Sequence, residues 1–352
     1  MPVKNRFAEM LPEITAWRRD FHENPELLFD VHRTAGIVEE KLREFGCDEV
    51  VPGIGRTGVV AVIKGRATGS GKVIGLRADM DALPIFEATG AEHASKTPGK
   101  MHACGHDGHT AMLLGAAKYL AETRNFDGTA IIIFQPAEEG GGGGKVMCDD
   151  GMMERWGIQE VYGMHNMPGL PLGQFAIREG AFFAATDTFT IKVEGRGGHA
   201  AKPHDTVDTT VVAAQLVTAL QTIASRNHDP VKNLVVSVTS FRTESEAFNV
   251  IPQHVELRGT VRTMDAETRD MAEIRIKALT EGLCTGFGAK ADVTYNRGYP
   301  VMVNSPEQTA FAAEVAEKVA GACHPAPLIM GGEDFAFMLE ERPGAYILVG
   351  NG

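Results

Sequence analysis

The first half of the chain alternates segments of helical periodicity with short apolar runs of strand length. Helical spacing of apolar residues predicts helices over Pro12–Asn24, Arg33–Phe45 and Thr110–Thr123. Apolar runs predict buried strands over Gly58–Lys64, Val73–Leu76 and Thr129–Phe134. Helices that alternate with buried strands indicate an α/β layer fold, and we expect its sheet to be mixed.

The pattern changes near residue 186. Strand, helix, two strands, helix and strand follow one another over Asp187–Glu194, Thr206–Arg226, Leu234–Phe241, Gln253–Thr263, Ala266–Phe287 and Lys290–Asn296. This βαββαβ order is a complete ferredoxin-like unit. We therefore expect an inserted domain at residues 182–296, and a discontinuous domain formed by residues 1–181 and 297–352.

Composition limits the classes of function. A chain of 352 residues exceeds what one hydrophobic core usually supports, so two domains are expected. A net charge of −12 disfavours nucleic acid and anionic membrane surfaces as partners. The five cysteines are scattered along the chain and do not suggest a disulfide framework. These features favour a cytoplasmic protein with no nucleic-acid or membrane partner.

The most informative motif is a pair of acids, Glu138 and Glu139, which follows the apolar run Ala130–Pro136 and precedes the glycines at 140–144. The carboxyl ends of strands are where open α/β sheets build their sites. Neighbouring side chains on an extended backbone point in different directions, so one Glu can hold a metal while the other acts on a water. A solvated acidic loop is the alternative interpretation.

A second motif, Met101–His109, holds one thiol and three imidazoles, which are the usual sulfur and nitrogen ligands of zinc-like ions. It lies at the predicted entrance of a helix. Asp79 and Asp81 follow another predicted strand, and His165 follows the short apolar segment at 160–164. Three strand ends and one helix start thus carry metal-ligating residue types.

These motifs together resemble the M20 metallopeptidase superfamily, in its amidohydrolase branch of hippurate hydrolases, N-acyl-amino-acid amidohydrolases and auxin-conjugate hydrolases. The matching segments run in the family's order along nearly the whole chain. They are Arg18–Leu27, Leu76–Pro84, Met101–Thr110, Phe134–Gly140, Gly163–Asn166, Gly197–Ala201, Phe248–Pro252 and Gly332–Phe335.

The resemblance implies a site for two divalent metal ions, with zinc, manganese, cobalt or nickel left open. By position, the family's ligands match Cys104, His106, Glu139 and His165. Glu138 matches the catalytic general acid/base, which activates a metal-bound water. The implied activity is hydrolysis of the amide bond of small N-acyl-L-amino acids, as in aminoacylases and hippurate hydrolases.

Two departures from the family's pattern bear on the ligand set. Most branches have a ligating His where Asp79 stands, and here Cys104 and His106 are expected to replace it. We expect Asp79, like the neighbouring Asp81, to support the ligands. The family's last ligand is a His that follows the motif matched by residues 343–352. We therefore expect that ligand in a C-terminal tail beyond this sequence.

The resemblance also implies substrate-binding roles in the inserted domain. His199 matches a residue that reaches the partner subunit's site and polarises the substrate carbonyl. Asn249 and Arg262 match residues that bind the substrate's carboxylate, a task suited to the planar fork of arginine. Arg258 is a rival, because residues 258 and 262 share a face of an alternating strand. We expect the inserted domain to act as a lid and to form a homodimer.

Two other interpretations stay open on the residues alone. Cys104 beside several histidines could be the nucleophile of an amidase, whose activity would survive chelators and fail on thiol alkylation. Alternatively, the chain could be a non-catalytic protein of the same fold that binds metal or acyl amino acid. An assay of amide substrates with and without chelator separates these interpretations.

Overall fold

The structure is a computed structural model that describes residues 3–352, and its chain divides into two compact units. The first unit contains the chain up to Gly180 together with Val303–Pro327 and Asp334–Gly352. The second unit contains Ala181–Met302 and Leu328–Glu333.

The helices follow the periodic segments of the sequence. They are α1 (Val3–Glu23), α2 (His32–Glu44), α3 (His106–Thr123), α4 (Gly143–Asp149), α5 (Met152–Arg155), α6 (Thr209–Thr222), α7 (Ala266–Gly286), α8 (Pro306–Ala320) and α9 (Phe335–Glu341). A 3₁₀ turn at Pro203–Asp205 precedes α6, and a π-helical turn at Ile223–Asn227 follows it. Within residues 3–352, no helix is both long and apolar enough to cross a membrane.

The strands begin with the apolar runs that the sequence predicts. They are β1 (Glu49–Ile54), β2 (Gly58–Lys64), β3 (Val73–Asp79), β4 (Thr129–Gln135), β5 (Glu160–Met167), β6 (Phe175–Ile177), β7 (Gly180–Phe183), β8 (Ala185–Glu194), β9 (Gly198–His199), β10 (Leu234–Thr243), β11 (Val250–Ile251), β12 (His254–Thr263), β13 (Lys290–Arg297), β14 (Met302–Asn304), β15 (Cys323–Pro325) and β16 (Gly344–Gly350).

The main sheet of the first unit is mixed, in the order β1-β2-β4-β3-β5-β16-β6-β15. Strands β4, β3, β5 and β16 are mutually parallel neighbours, whereas β2 runs antiparallel to both β1 and β4. The predicted mixed-sheet α/β fold is confirmed. Because β3, β4 and β5 are parallel, their carboxyl ends meet at one edge of the sheet, and the residues that follow them come together there.

Helices α1, α2 and α3 cover one face of this sheet. Their apolar stripes bury side chains such as Phe21, Leu42 and Leu114 against Ile63 and Ile132 of the central strands, and all five are fully buried. Full burial of one such side chain contributes about 1.5–3 kcal/mol. This packing makes the sheet a rigid base for the loops at its carboxyl edge.

The second unit is the predicted ferredoxin-like βαββαβ module. Its antiparallel sheet has the order β10-β12-β8-β13, and α6 and α7 pack on one face. The fully buried side chains of Phe189, Leu216 and Ile276 form the centre of that packing. Asp208 caps α6 by accepting hydrogen bonds from the backbone amides of Thr210 and Val211.

Two elements of the first unit differ from the sequence-based prediction. Helix α1 begins at Val3 and continues through Pro12, where the sequence suggested a start. Phe7 and Ile14, which lie on either side of Pro12 in the chain, both pack against Gly115 of α3. This packing stabilises the helix across the proline. The terminal motif forms β16, a central strand between β5 and β6, which the local pattern did not identify.

One prediction concerns packing inside the second unit. A Cβ at Gly259 would lie 2.1 Å from Phe189 Cζ and 2.4 Å from the Ser237 carbonyl oxygen. We expect Gly259→Ala to lower the free energy of unfolding by about 1–3 kcal/mol, because the core is overpacked. The matched control is Gly282→Ala in α7, where a Cβ meets no atom within 4 Å. Urea unfolding should show the control raising stability by about 0.5–1 kcal/mol. Equal responses would contradict this account.

Candidate metal centre

The carboxyl edge of the main sheet and the start of α3 deliver the predicted ligands to one place. Cys104 and His106 flank Gly105, which has a left-handed backbone with φ of 90°. A Cβ at Gly105 would lie 2.5 Å from the side-chain nitrogen of Asn166. Glycine is therefore required at position 105, where the segment that carries Cys104 and His106 passes the end of β5.

The four predicted ligands, together with Glu138, form two adjoining groups that share His106. The donor atoms of Cys104, His106 and His165 all lie within 4.8 Å of one another, as do those of His106, Glu138 and Glu139. The Sγ atom of Cys104 is 3.4 Å from Nε2 of His165. A third group of the same dimensions joins Asp79, His106 and His109.

Buried polar atoms at this centre fit a bound cation. Within residues 3–352, neither ring nitrogen of His106 has a hydrogen-bond partner, and neither does Oε1 of Glu139. His106 is only 1% exposed. The His106 ring nitrogens lie 3.6 Å from an Asp81 oxygen and 3.9 Å from Glu139 Oε1, beyond good hydrogen-bond distance. Buried groups without partners are costly, and divalent cations are natural partners for this mixture of sulfur, nitrogen and oxygen donors.

The glutamate pair is held by its backbone. The two carboxylate oxygens of Asp81 accept hydrogen bonds from the amides of Glu138, at 2.9 Å, and Glu139, at 3.1 Å. Ala137, just before the pair, has a left-handed backbone with φ of 55°. The chain then folds back so closely that a Cβ at Gly143 would lie 1.7 Å from the Pro136 oxygen. The glycine run thus permits the turn, and Asp81 holds the backbone from which the two glutamate side chains extend.

The centre concentrates opposing charges in a buried space. Burial by itself would raise the pKa of Asp79, but the charges of Arg77 and His106 and the hydrogen bond from His109 hold that pKa well below its usual range. Burial would lower the pKa of His106, yet the charge of Asp79 raises it well above its usual range. Burial raises the pKa values of the Cys104 thiol and the Glu139 carboxyl.

Several supporting residues were not singled out from the sequence. Arg77 and Asp334 are fully buried and form an ion pair with a 2.8 Å contact. Gln135 donates to Asp334 and accepts from Arg77. The sequence signals for this group were an arginine inside the apolar strand β3 and the family motifs that contain Gln135 and Asp334. His102, one of the three imidazoles of the Met101–His109 motif, is buried, and burial lowers its pKa to about 4.

The predicted substrate-binding residues lie in the second unit. His199 on β9 pairs with Val250 on β11, and the Ala200 amide donates to the Asn249 carbonyl at 2.9 Å. The register therefore brings His199 and Asn249 together. Arg262 and Arg258 both lie on β12, several residues beyond this short ladder.

The two arginines of β12 differ in their partners. The Arg258 side chain is 53% exposed and pairs with Glu256 at 2.7 Å. Arg262 is partly buried and donates to the Thr260 hydroxyl and the Val261 carbonyl. Within the described residues, no carboxylate lies within ion-pair distance of Arg262. Burial lowers the pKa of this guanidinium, and the charge of Asp187 opposes that shift.

Comparisons with known proteins agree with the motifs and the fold. Residues 75–352 match the model of peptidase family M20/M25/M40. The hippurate hydrolase of Campylobacter jejuni is 45% identical over 95% of this chain and 87% of its own length. The N-acetyl-L-cysteine deacetylase of Bacillus subtilis is 42% identical over 95% of this chain and 79% of its own length.

A solved structure shows the same architecture. The YXEP protein of Bacillus subtilis, described as a dinuclear metal-binding peptidase of the M20 family, superposes with a TM-score of 0.82. It is 36% identical to this chain, and the match covers 96% of this chain and 88% of that one. The resemblance seen in the sequence motifs is confirmed: the chain belongs to peptidase family M20/M25/M40.

Proposed function

We propose that this protein is a metal-dependent amidohydrolase that removes the acyl group from N-acyl amino acids. The observation that carries the proposal is the position of the Glu138 carboxylate beside a buried set of sulfur, nitrogen and oxygen donors. Relatives named for hippurate, N-acetyl-L-cysteine and N-acyl-L-amino-acid hydrolysis support this substrate class. All three names describe an amide bond next to a free carboxylate.

Cys104, His106, Glu139 and His165 are the proposed ligands of two divalent ions, whose identity among zinc, manganese, cobalt and nickel we leave open. When bound, such ions lower the pKa of a water and polarise a carbonyl oxygen. His106 belongs to both donor groups and is the residue that links them. The buried His106 and Glu139 atoms without hydrogen-bond partners support this assignment.

Glu138 is the proposed general acid/base. The residue is 7% exposed, and the amide of Asp334 lies 3.4 Å from its Oε1. Its backbone amide donates a hydrogen bond to Asp81, so the backbone that carries this carboxylate is held in place. Glu138 takes a proton from the attacking water and delivers it to the leaving amine nitrogen. The reaction forms a carbon–oxygen bond, breaks the carbon–nitrogen bond and releases a carboxylic acid and an amine.

Arg262 is the proposed partner of the substrate's carboxylate, with Asn249 in the same role and His199 polarising the scissile carbonyl. A partly buried guanidinium that lacks a carboxylate contact supports the assignment to Arg262 over Arg258. An arginine fork binds a carboxylate through two parallel hydrogen bonds, which compensates its desolvation. This preference for a charged substrate end suits N-acyl amino acids and disfavours simple amides.

We propose further that the protein works as a cytoplasmic homodimer. The second unit supports this through β10, an edge strand with partly exposed apolar side chains at Val235 and Phe241. All five cysteines are free, which suits a reducing compartment. Light scattering at several protein concentrations measures the assembly state directly.

The role of Glu138 predicts a specific kinetic loss. We expect Glu138→Gln to lower kcat on hippurate and N-acetyl amino acids by about 100- to 10,000-fold, since the amide cannot accept the proton. Metal content, measured by elemental analysis, should stay close to that of the unchanged protein. The matched variant Glu139→Gln should lose metal as well as activity. Full turnover by Glu138→Gln would refute its assignment.

Metal removal separates the proposed reaction from cysteine nucleophile catalysis. We expect a chelator to abolish hydrolysis, and Zn²⁺, Mn²⁺, Co²⁺ or Ni²⁺ to restore it, because the buried donors serve as ligands. Thiol alkylation of the metal-loaded protein should leave most of the activity. Activity that survives the chelator and fails on alkylation would instead establish Cys104 as nucleophile. Metal binding without turnover across an amide panel would favour a binding protein.

The contrast between the two arginines predicts a difference in substrate affinity. We expect Arg262→Met to raise KM by about 10- to 100-fold with a smaller change in kcat, because a charge-assisted hydrogen bond is lost. Arg258→Met, the matched control, should change KM by less than about twofold, since exposed ion pairs contribute little. A substrate whose carboxyl group is amidated should no longer distinguish Arg262→Met from the unchanged protein. A larger effect of Arg258→Met would reverse the assignment.

A further inference from the structure

We propose that His109 is a positioning residue, held by Asp79 and Arg77, that fixes the end of β5 and thereby orients His165 toward the metal ions. The inference rests on the proposed function only in taking His165 as a metal ligand. In this arrangement the buried β3 residues Arg77 and Asp79 hold His109 in place, and His109 is not itself a metal ligand.

The protonation state of His109 follows from its hydrogen bonds. The backbone amide of Asn166 lies 3.0 Å from His109 Nε2, and a backbone N–H can only donate. Nε2 therefore carries a lone pair, and the ring proton resides on Nδ1. That Nδ1–H donates to Oδ1 of Asp79 at 2.6 Å. His109 is thus a neutral imidazole with both nitrogens engaged, and it has no lone pair left for a metal ion.

This assignment resolves an ambiguity in the geometry. Distance alone places His109 with Asp79 and His106 in a group that could hold an ion. The amide of Asn166 excludes that role, because it occupies the only lone pair of the neutral ring. His109 instead belongs to the hydrogen-bonded frame around the ligands.

Asp79 is kept as an acceptor by the charge behind it. Its second oxygen, Oδ2, accepts from Nη1 of Arg77 at 2.6 Å, and both side chains are buried. Arg77 is fixed in turn by Asp334 at 2.8 Å and by Gln135 at 2.9 Å. An ionised Asp79 can only accept, so it selects the Nδ1–H form of His109.

The peptide group held by His109 also sets the orientation of His165. Nδ1 of His165 lies 2.6 Å from the carbonyl oxygen of Asn166, so that nitrogen must donate. In the neutral ring Nε2 then carries the lone pair, and this atom faces Cys104 Sγ at 3.4 Å. The backbone amide of Asn166 therefore donates a hydrogen bond to His109, and the backbone carbonyl of Asn166 accepts one from His165. The rings of His109 and His165 meet edge to face, with centroids 4.6 Å apart.

Two substitutions at His109 test its two hydrogen bonds separately. Asn is short and can place an amide N–H near the position of Nδ1, which keeps the bond to Asp79 and removes the acceptor for Asn166. Gln is longer and can place its oxygen near the position of Nε2, which keeps the acceptor for Asn166. If the acceptor matters, the two amide variants must differ in metal affinity.

The test measures Zn²⁺ affinity by competition with a chromophoric chelator, well below the melting temperature. We expect His109→Asn to weaken binding by about 10- to 100-fold, the range found when hydrogen-bond partners of ligands are removed. His109→Gln should remain within about threefold of the unchanged protein. Leu42→Ala, in the buried core of α2, is the control for lost stability, and it should lower the melting temperature without changing Zn²⁺ affinity.

Two results would overturn the proposal. Unchanged Zn²⁺ affinity in His109→Asn would show that the acceptor is not needed. Equal, severe losses in His109→Asn and His109→Gln, with Leu42→Ala unaffected, would identify His109 as a ligand.

A second measurement needs no variant of the site. In ¹⁵N-histidine-labelled protein without metal, the nitrogen spectrum of His109 should show the Nδ1–H tautomer that its two hydrogen bonds require. The Nε2–H tautomer would refute the proposal. Both measurements use no substrate, so they stand if amide hydrolysis is not found. Absence of turnover would refute the proposed function alone.

Discussion

The structure depends on keeping several carboxylates and imidazoles buried at one edge of a sheet. Asp79, Asp81 and Asp334 are fully buried, and Glu138 is nearly so. Like charges this close cannot all remain ionised unless cations lie among them. Arg77 supplies one cation from within β3 and contacts both Asp79 and Asp334. Divalent ions are the proposed partners on the other side, where His106 and Glu139 have atoms without a hydrogen-bond partner among residues 3–352.

Sheet topology makes this concentration possible. Parallel β3, β4 and β5 end at the same edge, and the residues after them are forced into proximity although they are far apart in sequence. The Arg77–Asp334 contact joins residues 257 positions apart. The helices on the sheet hold the strands in register through close-packed side chains, which keeps the donor atoms within a few ångströms. Rigid strands and helices therefore position the donor side chains, and the glycine-rich turns complete the shape of the site.

Backbone groups determine the roles of the imidazoles. A peptide N–H always donates and a peptide C=O always accepts, so each contact between a ring and the backbone fixes where the ring proton lies. By this rule His109 and His165, side by side, take different parts although they are the same residue type. Asp81 and Glu139 differ in a similar way, because Asp81 accepts from two backbone amides, whereas Oε1 of Glu139 has no hydrogen-bond partner in the described part of the chain.

The sequence by itself determined the α/β class, the ferredoxin-like module and the family, because periodicity and ordered motifs are local properties of the chain. The resemblance to the family also implied Cys104, His106, Glu139 and His165 as candidate ligands, because the motifs that contain them occur in the family's order. Only the tertiary structure showed the partners of Arg77, the hydrogen bonds of His109 and the difference between Arg258 and Arg262. Those features depend on which distant residue supplies the second atom of each contact. Packing decides that, and local sequence patterns do not encode it.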